Sequence, residues 1–269
     1  MKRLAVLFAL CASPLHAGSS DLRALMTGDD TRGWEAVGRL NIAGKAFCTG
    51  SLVSETIVLT AAHCLFDAES GAAFDPTSIE FLAGWRDGRA AAYRGVRRAA
   101  IHPDYDFDGP DKAARVASDI AILELDQPIR TTAVVPFATT GWPAPGDEVG
   151  VVSYAHDRAE APSIQETCSV IARQQDALIT DCDVDRGSSG APVFVFRDGQ
   201  ARIASVISAK ASADGAPVSL GAGLGALAAL TAQLAVTDGH FTSVSGALPT
   251  VNRGGSGASA SAKFVRPGE

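Results

Sequence analysis

A membrane-spanning length is missing from this chain of 269 residues. A helix needs about 20 consecutive apolar residues to cross a bilayer. The opening run from Leu4 to Ala12 is shorter, and no later segment is long, apolar and free of polar breaks, so no stable membrane association is expected. Basic residues are also in deficit, with a formal net charge of −7. Binding to nucleic acid needs clustered Lys and Arg to neutralise phosphates, which argues against such a partner. The short basic pieces Arg94–Arg98 and Arg115 read as solvated surface. Cysteine is scarce: of five, no two have C-x-x-C spacing and no second histidine sits nearby, which disfavours a zinc site. No internal repeat recurs at a fixed period.

What is present begins with Met1-Lys-Arg, the apolar run, and Pro14-Leu-His-Ala17. This is the charged, hydrophobic and small-residue order of a secretory signal. Cleavage is expected after Ala17, placing the product in the periplasm or outside the cell. Cys11 leaves with the signal, and Cys48, Cys64, Cys168 and Cys182 remain, an even number suited to an oxidising compartment.

A hydrophobic fraction of 46% supports a packed core. Short β-rich runs separated by Gly, Pro and Asp turns fall in two series. The first is 36–42, 47–53, 56–60, 79–83, 96–101 and 120–125, and the second is 149–154, 165–171, 177–181, 192–196, 202–208 and 218–224. Such spacing predicts antiparallel sheet or barrel, and pattern alone also fits a β-sandwich. A proline-marked stretch, 126–145, separates the series. The segment 226–236 is rich in helix formers, with leucines at 227, 230 and 234, and predicts the one helix. Beyond it, 243–269 is rich in Gly, Ser and Ala and is expected to be a flexible tail.

Three local sequences carry chemistry: Leu59-Thr-Ala-Ala-His-Cys64, Ser118-Asp-Ile-Ala-Ile-Leu123 and Asp181-Cys-Asp-Val-Asp-Arg-Gly-Ser-Ser-Gly-Ala-Pro192. A serine hydroxyl is a poor nucleophile unless a base removes its proton. Histidine, with a pKa of about 6.5, can act as base and then acid, and a buried carboxylate can hold its tautomer. In chain order these are His63, Asp119 and Ser189. Taken singly, each could be a core histidine, a turn cap or a simple loop serine. The α/β-hydrolase alternative is poor, because Ala191 breaks the G-x-S-x-G pattern and the base precedes the nucleophile.

The order and contexts of these residues, together with Ile101-His-Pro-Asp-Tyr105 and Cys48-Thr-Gly-Ser-Leu-Val-Ser54, resemble the trypsin-like (chymotrypsin-fold) serine proteases over 35–234. The resemblance implies an all-β fold of two six-stranded antiparallel β-barrels with a C-terminal α-helix. The implied division is 1–17 signal, 18–33 amino-terminal segment or short propeptide, 34–130 first barrel, 131–145 crossover, 146–240 second barrel and helix, and 241–269 tail. It further implies a serine endopeptidase acting on a protein or peptide as a monomer without cofactor, with backbone amides of Gly187 and Ser189 as oxyanion donors. The resemblance favours pairing Cys48 with Cys64, which would tie down the histidine turn. Cys168 and Cys182 then pair by remainder and by closeness in sequence. Each bridge closes a loop of about 15 residues, for roughly 3 kcal/mol in the chain-entropy model.

Two departures matter. The family's Gly-Asp-Ser-Gly-Gly-Pro appears as Gly187-Ser-Ser-Gly-Ala-Pro192, and no Ile-Val-Gly-Gly start is present. Activation by an ion pair between that acid and a new amino terminus is therefore not expected, and the chain looks closer to the bacterial glutamyl-endopeptidase-like branch. Asp183, six residues before Ser189, aligns with the base of the primary specificity pocket and suggests a weak preference for Arg or Lys. Ser208 and Lys210 are the companion substrate-binding candidates, with Lys210 placed to neutralise Asp183 or attract an acidic side chain. The strand from Ile203 to Lys210 carries no histidine of the kind glutamate-specific members use. A catalytically silent binding or adhesion module remains the alternative from another class. Asp104-Tyr-Asp-Phe-Asp-Gly109 has half of a calcium loop, but Arg115 stands at the twelfth position, so 102–118 is read as an acidic surface loop.

Overall fold

The computed structural model describes residues 22–236, together with the backbone of 241–243 and 262–264. The expected signal at 1–17 and most of the expected tail lie outside the described residues. The strands are β1 (Arg23–Ala24), β2 (Val37–Ile42), β3 (Ala46–Leu52), β4 (Ile57–Thr60), β5 (Ile79–Ala83), β6 (Ala92–Ile101) and β7 (Ala121–Leu125). After the crossover come β8 (Glu148–Ala155), β9 (Arg158–Gln174), β10 (Ala177–Thr180), β11 (Pro192–Arg197), β12 (Gln200–Ala213) and β13 (Ala216–Gly223), then β14 (Phe241–Ser243) and β15 (Ala262–Phe264). Helix α1 (Lys112–Ala117) lies between β6 and β7, and α2 (Leu227–Val236) follows β13.

Pairing closes two rings of six strands. The first runs β2-β3-β4-β7-β6-β5 and returns from β5 to β2. The second runs β8-β9-β10-β13-β12-β11 and returns from β11 to β8. Closure removes the unpaired edges that an open sheet of this size would expose, and it selects the barrel over the sandwich that alternation alone left open. β1 adds to β9, β14 to β6 and β15 to β12.

The first ring fills with Leu40, Ile42, Leu59, Phe81 and Ile122, all buried. In β3 the pattern departs from alternation, because Cys48 through Leu52 are buried on both faces. One face looks into its own barrel and the other meets the second barrel, which is how a first-barrel strand reaches the serine loop. The segment between the barrels is pinned to each: Phe137 N–H donates to Leu52 O at 2.9 Å, and Ile203 N–H donates to Ala138 O at 2.9 Å. Phe137 packs edge-on against Phe194 at 4.7 Å, and Trp34 meets Phe194 at 5.2 Å. Such aromatic pairs add about 0.5–1.5 kcal/mol beyond area burial.

Three differences from the sequence reading have physical causes. β9 extends far beyond 165–171, because it pairs first with β8 and then with β10, and its polar ends sit on an exposed face. Helix α1 arises inside the expected surface loop, where the Asp111 carboxylate accepts from the N–H groups of Ala113 and Ala114 at 2.9 and 3.1 Å. Its one buried side chain, Val116, packs in a cluster with Ile179, Ala211, Val218 and Leu220 of the second barrel, a partner set that no local pattern announces. Arg98 is not solvated but buried, with Nε 2.6 Å from Glu124 Oε2.

Candidate functional site

His63 sits in a 3₁₀ turn, Ala62–Leu65, directly after β4. The turn is anchored by the Cys48–Cys64 disulfide; the second bridge joins Cys168 to Cys182. Cys48, His63 and Cys64 bring their sulfur and nitrogen atoms within 4.8 Å of one another, but the two sulfurs are bonded to each other and are not free to bind a metal. Asp119 follows α1 at the mouth of β7 and is 3% exposed. Its carboxylate accepts three hydrogen bonds: His63 N–H to Oδ1 at 2.8 Å, His63 Nδ1 to Oδ2 at 2.6 Å, and Ser208 Oγ to Oδ2 at 2.5 Å. A carboxylate only accepts, so the ring proton lies on Nδ1 and Nε2 is left as the basic nitrogen. Burial disfavours the charged imidazole, yet the Asp119 charge and hydrogen bond outweigh that and hold His63 above its ordinary pKa; the Arg115 guanidinium opposes them.

The serine loop is folded by its own backbone and by the opposite barrel. Ser188 N–H donates to Asp185 O at 2.9 Å, Ala191 N–H to Ser188 O at 2.9 Å and Gly190 N–H to Ile207 O at 2.8 Å. Gly187 and Gly190 take φ of +95° and +80°, the left-handed region that favours glycine. A Cβ at Gly187 would run into the Phe47 ring, and one at Gly190 into Thr49 O and Thr60 Oγ1. Thr49 of β3 is the hub. Its N–H donates to Ser189 O at 2.8 Å, its Oγ1 donates to Gly187 O at 2.8 Å and accepts from Tyr154 N–H at 3.1 Å. The N–H groups of Gly187 and Ser189 have no acceptor among the described residues.

His63, Asp119, Gly187, Ser189 and Ser208 line one cleft of about 610 Å³. One wall carries Phe66, Phe74, Tyr105 and Phe107, and the rim includes Lys112, Arg115 and Arg186. Arg115, read from sequence as solvated surface, therefore belongs to the cleft. Burial holds the Tyr105 hydroxyl protonated far above its ordinary range, and the nearby Asp119 charge adds to this.

Other candidates fall elsewhere. Asp183 and Lys210 are not among the residues lining the cleft. Asp183 is half-buried and its N–H donates to Gln165 Oε1 at 2.7 Å, while its carboxylate has no hydrogen-bond or ion-pair partner among the described residues. Lys210 is exposed and forms no salt bridge among them, so it does not neutralise Asp183. Ser208 reaches the site through Asp119. Ser188 is fully buried, its Oγ 3.1 Å from Ser153 Oγ and 3.3 Å from Tyr154 O. Sequence reasoning missed Thr49, Ser153 and Arg115. Thr49 lies inside the quoted strand before the histidine turn, yet nothing local distinguishes it from its neighbours.

Comparison with known proteins agrees with this geometry. The family model described as Trypsin matches residues 27–218. Serine protease 23 of Bos taurus is 28% identical over 163 residues, covering 55% of this chain and 43% of the relative. Glutamyl endopeptidase of Bacillus licheniformis is 26% identical over 148 residues, covering 55% and 45%. The chain thus spans less than half the length of these relatives. A solved structure of a Glu endopeptidase in complex with MPD superposes with a TM-score of 0.63 at 18% identity, over 76% of this chain and 91% of the other, a likeness of fold. With two closed six-stranded barrels and a family match over most of its length, the chain belongs to the trypsin family and is similar to its glutamyl-endopeptidase branch.

Proposed function

We propose that the protein is a secreted or periplasmic serine endopeptidase using His63, Asp119 and Ser189. The observation that carries the reading is the buried Asp119 carboxylate holding His63 by two hydrogen bonds in the cleft that also holds Ser189. As Ser189 Oγ attacks the scissile carbonyl carbon, its proton passes to His63 Nε2 and the C=O electrons move to oxygen. The N–H groups of Gly187 and Ser189 donate to that oxyanion. Collapse of the intermediate breaks the C–N bond while imidazolium protonates the departing amine, leaving an acyl ester on Ser189. Water then attacks the ester with His63 again as base, releasing the acid and restoring the serine hydroxyl. Asp119 stabilises the imidazolium at both stages, and Ser208 steadies Asp119.

Ser188 occupies the place of the family's acid, and its hydroxyl is satisfied by Ser153 and Tyr154, so no amino-terminal ion pair is needed to order the loop. A weak preference for Arg or Lys before the scissile bond rests on the place of Asp183 six residues before Ser189; its half-buried side chain is not among the residues lining the cleft that holds Ser189. The two disulfides support an oxidising compartment. A serine-directed fluorophosphonate is expected to label the purified protein and to spare Ser189→Ala and His63→Ala. Equal labelling of wild type and Ser189→Ala would sink the mechanism and leave the silent module standing.

A further inference from the structure

We propose that Arg115 is a substrate-binding residue, and that the cleft takes an acidic side chain next to the scissile bond, its carboxylate paired with the Arg115 guanidinium beside the aromatic wall. This rests on the endopeptidase reading and names the substrate chemistry of the same site.

The position of the guanidinium follows from the fold. Val116 locks α1 onto the second barrel, which brings the preceding residue over the cleft shared with His63 and Ser189. Arg115 Nη1 donates to Phe107 O at 2.9 Å, which fixes the side chain, and no carboxylate pairs with it among the described residues. The remaining guanidinium donors are thus presented in a fixed fork, a geometry that matches a carboxylate. The stacked rings of Phe66 and Phe107, 5.2 Å apart, and Tyr105 at 5.7 Å from Phe66 border the same space, and such apolar surroundings strengthen an ion pair formed there.

An uncompensated cation beside His63 works against the imidazolium that catalysis requires, and Arg115 does lower the affinity of this imidazole for a proton. A substrate carboxylate on Arg115 cancels that opposition as it binds. The same contact therefore assists the chemical step as well as binding, and part of the gain belongs in kcat. Lys112 and Arg186 on the rim reinforce the attraction, while Glu69 and Asp108, which also line the cleft, offset part of it.

The test uses the full chain and peptides with Arg kept before the scissile bond, comparing Glu, Gln and Lys at each of the flanking positions. Wild type is expected to favour Glu over Gln by about tenfold in kcat/KM at one position, with kcat contributing. Arg115→Gln should bring that ratio to near unity, and Arg115→Glu should shift the preference to Lys, a reversal that mere loosening of α1 cannot produce. Fluorophosphonate labelling is run alongside. If Ser189 labels but Glu has no advantage, or its advantage survives Arg115→Gln, the role of Arg115 is overturned alone. If Ser189 does not label, the endopeptidase reading falls and this inference with it.

Discussion

Replacing Thr49 by valine tests whether the first barrel holds the serine loop in shape. Thr49 is fully buried, and valine matches its shape but not its hydroxyl. The substitution removes a donor to Gly187 O at 2.8 Å and an acceptor for Tyr154 N–H at 3.1 Å. A buried polar group left without a partner costs about 1–3 kcal/mol, so two such groups predict a loss of about 2–6 kcal/mol against a typical total of about 5–15 kcal/mol. Urea unfolding should show a lower midpoint at unchanged slope. The bond from Thr49 N–H to Ser189 O would persist, but Gly187 would lose its tether and its amide its aim. Small misplacements of this kind cost about one to two orders of magnitude in rate. Thr49→Ser keeps the hydroxyl and should recover most of both quantities. If the valine variant unfolds within about 0.5 kcal/mol of wild type, a range typical of inconsequential surface changes, and cleaves peptides at the wild-type rate, the hub assignment is wrong.

Other outcomes follow from the same contacts. His63 must be neutral to act as base and its pKa is raised above 6.5, so kcat/KM should fall as pH drops through a value above 6.5. Asp119→Asn removes the raising influences while burial and Arg115 continue to lower, so the acid limb should move to lower pH and kcat should fall by about four orders of magnitude; a limb that stays put in a pH–rate profile would contradict the pairing. The raised pKa also means that the His63–Asp119 pair contributes stability fully below the unfolded pKa near 6.5, and that this contribution disappears as pH rises through the folded value. Ser188→Asp would bury a carboxylate against Ser153 Oγ and Tyr154 O, where the Arg158 guanidinium, which donates to Ser153 Oγ at 3.3 Å, offsets only part of the cost of burying the charge, and should lower stability by about 1–3 kcal/mol; an unchanged melting temperature would show that Arg158 compensates the acid in full.

Legibility differed from element to element for physical reasons. The strand at Ile79–Ala83 was readable to the residue, and the histidine, aspartate and serine segments stood out because each needs several particular residue types side by side. β9 was underestimated, since its ends are held by backbone pairing with β8 and β10 rather than by apolar alternation. Helix α1 was invisible because a six-residue helix has almost no periodicity, and it exists through Val116 packing on the other barrel. Arg115 was misread for the same reason: a lone arginine in a polar segment looks like surface until its neighbour is docked.

By itself the amino-acid order determined the chemistry on offer: one serine among turn glycines, one histidine beside a cysteine, one aspartate before an apolar strand, and two series of β-forming runs to carry them. These are local properties, set by residue type and spacing. Only the tertiary structure decided which groups meet. The Asp119–Ser208 contact, the Thr49 clamp on Gly187 and Ser189, and the placement of Arg115 over the cleft all join residues far apart in sequence. Their hydrogen bonds and charges act over a few ångströms of space, a separation that barrel closure fixes and chain distance does not.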